Sequence, residues 1–149
     1  MNKLRLILGD QLNINHSWFK ENNSKITYVM MEVKEETSYV LHHAQKIIAT
    51  FAAMRFFAAQ LQQKGFEVIY FKINDKQNKQ SFYQNINKII KEKNIGELQY
   101  LEPDEYRLST ELKKLESIEN IKVESVDTEH FLVPKLYAKD FFSEKKHWR

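Results

Sequence analysis

Leu4-Arg5-Leu6-Ile7-Leu8-Gly9-Asp10-Gln11-Leu12 sets an apolar run directly against a glycine, an acid and an amide. Leu4–Leu8 reads as a strand, and Gly9-Asp10-Gln11 as the turn at its carboxyl end. A second run, Ile26–Val33 (Ile-Thr-Tyr-Val-Met-Met-Glu-Val), leads into Lys34-Glu35-Glu36-Thr37-Ser38-Tyr39-Val40-Leu41-His42-His43. Both runs are nearly continuous in apolar residues, which suits strands covered on both faces. Strand ends that collect acidic and amide side chains are where a parallel α/β sheet takes its ligand.

The rest of the chain continues the alternation. Asn13–Ser24 is polar around Trp18-Phe19 and reads as a loop with one helical turn. Ile47, Phe51, Met54, Ala58 and Leu61 recur at helical spacing, with Ile48, Ala52 and Ala59 widening the apolar face. Gly65 follows as the helix stop. Phe66–Ile73 is a third strand, and Ser81–Lys93 a second amphipathic helix closed by Gly96. Leu98–Leu101 is a short fourth strand ended by Glu102-Pro103, because proline cannot donate to a ladder. Asp104–Leu115 reads as a helix and Ile121–Val126 as a fifth strand. This pattern predicts a Rossmann-like, doubly wound and mostly parallel sheet of about five strands in one domain, residues 1–149. With strand order 3-2-1-4-5, strands one and four flank the topological switch point, and Asp10, Gln11, Glu105 and Arg107 line one crevice.

Composition narrows the function classes. The 149 residues are 42% hydrophobic, enough for a core, and carry a net charge of only +3. Basic and acidic residues are interspersed, so no stripe marks a nucleic-acid surface, and direct DNA binding is not expected. There is no cysteine, which excludes disulfides, thiolate nucleophiles and cysteine-ligated metal centres within this chain. No apolar stretch approaches the roughly 18 residues of a membrane span, and no signal-peptide pattern opens the chain, so a cytoplasmic location is expected.

Each candidate motif has a structural alternative. Gly9-Asp10-Gln11 is neither a dinucleotide fingerprint nor a phosphate loop, so it either hydrogen-bonds a polar ligand or builds a turn. Glu32, Glu35, Glu36 and Tyr39 form a second cluster, in which Glu36 opens the long helix. A carboxylate there is also explained by the helix dipole alone. Adjacent helical residues diverge by about 100°, so His42 and His43 do not readily share a metal ion. His16 reads as a surface histidine, and the Phe56-Phe57 pair as core. Glu102-Pro103-Asp104-Glu105-Tyr106-Arg107 offers ligand contacts, helix caps or surface ion pairs.

Taken together, Leu6-Ile7-Leu8-Gly9-Asp10-Gln11-Leu12, Glu32-Val33, Glu36, Ser38-Tyr39-Val40, His42-His43, Lys46-Ile47, Ala53-Met54-Arg55-Phe56-Phe57-Ala58 and Glu102-Pro103 with Tyr106-Arg107 resemble one family. It is the deoxyribodipyrimidine photolyase-related group, the iron–sulfur bacterial cryptochromes and (6-4) photolyases. The resemblance implies an N-terminal α/β domain that holds an antenna chromophore, 6,7-dimethyl-8-ribityllumazine, at the strand ends. Asp10 and Glu36 match acidic positions that contact the lumazine. Gln11, Leu12, Met31 and Tyr39 match neighbouring positions, and Met30, Met31, Ile47 and Ile48 would supply apolar walls. FAD, the iron–sulfur cluster and the lesion pocket are implied for a helical C-terminal region absent here, so this domain alone is expected to catalyse nothing. Phe131–Arg149, with Tyr137, Phe141, Phe142, His147 and Trp148, would lead into that region in cis or dock on it in trans. The alternatives from the residues themselves are an interaction module and a free-standing nucleotide-binding domain.

Overall fold

The computed structural model describes residues 1–133 and 135–143. Its strands are β1 (Asn2–Leu6), β2 (Ile26–Met31), β3 (Glu67–Phe71), β4 (Ile95–Leu101) and β5 (Lys122–Val126). They form one sheet in the order β3-β2-β1-β4-β5, with every neighbouring pair parallel. The central strand β1 sets Leu6 beside Val29 on one side and Tyr100 on the other. This is the Rossmann-like arrangement that the alternation of strands and helices predicts.

The two-residue period of the strands divides the core in two. Leu4, Leu6, Val29, Met31, Leu98 and Tyr100 face α3 (Phe82–Lys93) and α4 (Tyr106–Lys113). Tyr28, Met30 and Leu101 face α2 (Ala44–Gln63) and the turn that carries Trp18. Both faces are covered, which is why the inner strands carry apolar residues at consecutive positions. Beyond the last strand pair, Ile7 and Leu8 remain buried, and the Ile7 N–H donates to the Val29 carbonyl (3.0 Å).

Several boundaries differ from the sequence expectation. Glu36 does not open the long helix: it lies in a separate five-residue helix, α1 (Lys34–Ser38). The long helix α2 starts at Ala44, where the His43 ring accepts from the Gln45 N–H (3.2 Å). On α2, Met54, Phe57, Ala58 and Leu61 are buried, whereas Ile48 and Phe56 are 67% and 72% exposed. Successive helical positions diverge by about 100°, so Phe56 cannot share the sheet-facing side with Phe57. Gly65 takes the left-handed conformation (φ 86°) just past α2, as its place after the last turn predicts. After α3 that role falls to Asn94 (φ 51°), not Gly96, which lies within β4. Asparagine tolerates this conformation better than other side-chain-bearing residues. The fourth helix is shorter than expected, and Lys114–Ser117 continues it as a 3-10 turn.

The tail forms α5 (Lys135–Ser143), in which Tyr137, Phe141 and Phe142 are about half exposed. His147, Trp148 and Arg149 lie outside the described residues. Among the described residues, no helix is long and apolar enough to cross a membrane.

Candidate functional site

The carboxyl ends of β1 and β2 open into a cleft of about 240 Å³. Leu8, Gly9, Met31 and Val33 line it from the sheet, and Ile47, Thr50, Phe51 and Met54 from α2. Asp10 of the turn after β1, Glu36 and Thr37 of α1, Tyr39 and His42 of the α1–α2 connection, Lys46 of α2, and Glu105 and Leu108 near the start of α4 complete the wall. Gly9 sits in close quarters with α2. A Cβ at this position would lie 3.0 Å from both Met54 Sδ and Thr50 Cγ2, tighter than ordinary contact, so its absence lets α2 close on the strand end.

The polar side of the cleft is organised by Arg107. Its Nη2 donates to Glu36 Oε1 (3.0 Å) and its Nε to Glu105 Oε1 (2.8 Å). The guanidinium also lies 3.8 Å from the centre of the Tyr39 ring, a cation–π contact that fixes the ring at the cleft edge. Burial pushes the Glu36 carboxyl above its ordinary pKa, Arg107 opposes the rise, and the charges of Glu105 and Asp10 add to it. Burial works against the Arg107 charge, but its bonds to Glu105 and Glu36 outweigh that penalty and raise its pKa.

His42 meets Tyr39 edge-on, with ring centres 4.9 Å apart. Its Nε2 is buried without a hydrogen-bond partner. A buried polar atom in that state costs free energy unless something supplies the missing bond. The adjacent His43 is spent on capping α2, so the two rings serve different places.

Of the six residues singled out from the sequence, Asp10, Met31, Glu36 and Tyr39 line this cleft. Gln11 and Leu12 do not. Gln11 is buried, accepts from the Leu8 N–H through Oε1 (3.1 Å) and donates through Nε2 to the Leu101 carbonyl (3.1 Å). It closes the gap between the ends of β1 and β4, so the cleft opens over β1 and β2. Leu12 packs with the core on the α2 face. Met30 is buried on that same face, and Ile48 points away from the sheet. Of the four expected wall residues, Met31 and Ile47 line the cleft.

The other carboxylates of the second cluster are held by the fold. Glu32 is fully buried and accepts from Arg55 through both oxygens (2.7 and 2.8 Å), from the Tyr70 hydroxyl (2.7 Å) and from the Ile73 N–H (2.8 Å). Burial alone would raise its pKa, but these donors win and hold it below the usual range. Glu35 accepts from the Phe82 N–H (3.2 Å) and so caps α3. His16 is not a surface residue but is 1% exposed. Its Nδ1 accepts from the Trp18 N–H (3.1 Å) and its Nε2 faces the Asp127 carbonyl (3.0 Å), which assigns the proton to Nε2.

A larger hollow of about 420 Å³ lies beside the edge strand β3. Two of its lysines are already engaged, Lys93 with Glu67 (2.7 Å) and Lys88 with Gln77 (3.3 Å). The smaller cleft is the better candidate, because it combines apolar walls, converging carboxylates and an unpartnered polar atom at strand ends.

Two comparisons place the chain among known proteins. A family model described as deoxyribodipyrimidine photo-lyase-related protein matches residues 5–149. A (6-4) photolyase of Agrobacterium fabrum is 35% identical over 133 residues, covering 89% of this chain and 26% of that protein. The chain thus spans about a quarter of that relative's length. With the match running through nearly all of the sheet and every residue of the cleft, the chain belongs to the deoxyribodipyrimidine photo-lyase-related family.

Proposed function

We propose that the cleft binds 6,7-dimethyl-8-ribityllumazine as a light-harvesting chromophore, and that the domain serves as the antenna part of a photolyase- or cryptochrome-related flavoprotein. The observation that carries this reading is the convergence of Asp10, Glu36, Tyr39 and the unpartnered His42 Nε2 on one apolar-walled cleft. A planar heterocycle with a hydroxylated chain matches that set. Carboxylates accept from ring N–H groups and hydroxyls, while Met31, Ile47, Phe51 and Met54 enclose the ring and exclude water. The bound group supplies absorption of near-ultraviolet or blue light, and the chain orients it.

In this reading FAD and the iron–sulfur cluster belong to other parts of a longer protein. The chain has no cysteine thiolates to hold such a cluster. The domain alone performs no chemistry. Incubation with 6,7-dimethyl-8-ribityllumazine should change the ligand fluorescence and raise the melting temperature. Asp10→Ala and Glu36→Ala should each weaken the effect. Absence of both changes in the wild-type chain rejects the assignment.

A second reading is favoured by the exposed run Phe131, Leu132 and Val133 next to the half-exposed Tyr137, Phe141 and Phe142. Here the domain docks on a helical FAD-binding region through this surface. Co-purification with a separately encoded helical flavoprotein domain, lost on Phe131→Asp, would support it.

A further inference from the structure

The charges around the cleft point beyond the identity of the chromophore to its phosphorylation state. Asp10, Glu36 and Glu105 line the cleft, and among its described lining residues Lys46 is the one Lys or Arg. The nearby Arg107 is committed to Glu36 and Glu105, so neither of the donors it turns to them is spare for a ligand anion; its charge and that of Lys46 offset two of the three carboxylates and leave the cleft formally acidic by one. The backbone offers no phosphate cradle either. Gly9 is the one glycine of its turn, and the chain has neither a G-x-G-x-x-G nor a G-K-[ST] sequence. The helix ends near the cleft are fronted by side chains of the chain itself. His43 accepts from the Gln45 N–H at α2, and Glu105 is the residue immediately before α4.

Asp10, Glu36 and Glu105 line the same cleft of about 240 Å³, so a ligand held inside it lies close to carboxylates. Hydroxyl and ring N–H groups are favoured there, and a phosphoryl group is repelled. Resting on the lumazine reading, we propose that the cleft selects an unphosphorylated ribityl chromophore and rejects ligands that carry a phosphate, including flavin mononucleotide and dinucleotides.

The test uses a matched pair, 6,7-dimethyl-8-ribityllumazine and its 5′-phosphate ester, each titrated into the full chain and followed by ligand fluorescence at low and high salt. The ester should bind at least about tenfold more weakly at low salt, and the gap should narrow at high salt as screening weakens the repulsion. Asp10→Asn removes one exposed carboxylate without changing its shape, so it should narrow the gap in the same direction. Circular dichroism of that variant confirms that it is folded. Equal affinity for the two ligands, or tighter binding of the ester, overturns the selection. Failure of the wild-type chain to bind either ligand overturns the lumazine reading itself, and the selection with it.

Discussion

Replacing Gln11 with alanine separates a structural role from a ligand-binding one. The side chain is buried and bridges two backbone groups, the Leu8 N–H and the Leu101 carbonyl, each at 3.1 Å. The last registered pair between β1 and β4 is Leu6 with Tyr100, so Gln11 extends that seam beyond the ladder. Truncation leaves a buried donor and a buried acceptor without partners, at about 1–3 kcal/mol each. Partial rehydration from the strand ends keeps the expected total near the lower half of the sum, about 2–4 kcal/mol. For a domain of this size that is a fall in melting temperature of roughly 4–16 °C. The assay is thermal unfolding by circular dichroism, paired with lumazine titration well below the variant's melting temperature. The folded variant should keep its lumazine affinity within about threefold, because Gln11 does not line the cleft. A melting temperature within a degree of wild type would refute the bridging role of Gln11. So would a loss of affinity as large as that of Glu36→Ala.

Acid should unfold the wild-type chain partly through Glu32. Its pKa is held below the unfolded value, so its contribution is complete above the unfolded carboxylate pKa and is lost as the pH falls through the folded one. Melting curves from pH 6 to pH 3 should show a steeper loss for wild type than for Glu32→Gln, and parallel curves would contradict this. Glu36 has the opposite sign: its raised pKa means that its ionised form is penalised in the fold, so Glu36→Gln should recover stability near neutral pH and lose that advantage on acidification. Asn94→Ala should cost about 1 kcal/mol, because alanine is strained at φ 51°. Gly96→Ala should cost less, because the atoms nearest its added Cβ belong to the flexible, exposed Met1 side chain, and chemical denaturation of the two variants checks the order.

The sheet was legible because its signal is local. Apolar runs at Ile26–Val33 and Phe66–Ile73, separated by a helix-period stretch, leave little choice of architecture. The residues at the strand ends were legible as a group, because strand ends are where polar side chains become accessible. Their division of labour was not. Gln11 and Asp10 are neighbours, yet one points into the β1–β4 seam and the other into the cleft, a difference set by the turn after Leu8. The Glu36–Arg107 bond joins residues 71 positions apart and has no local signature. Neither does the buried set around Glu32, which draws on Arg55, Tyr70 and Ile73 from α2, β3 and the loop beyond it. His16 reads as exposed in the sequence because Asp127, which meets its Nε2, lies 111 positions away and is brought to it only by the fold. His42 carried no signal beyond its pairing with His43, because an unpartnered nitrogen is a property of three-dimensional surroundings. Ile48 and Phe56 differ for a simpler reason: apolar residues on an outer helix face read like core when the covering surface is unspecified.

The most direct measurement is a backbone amide NMR map of the isotopically labelled chain titrated with 6,7-dimethyl-8-ribityllumazine. Saturable shifts are expected at Gly9, Asp10, Val33, Glu36, Tyr39, His42 and Thr50, with Asp75 and Lys88 beside β3 unmoved. Saturable shifts centred on β3, or no shifts at all, would contradict this.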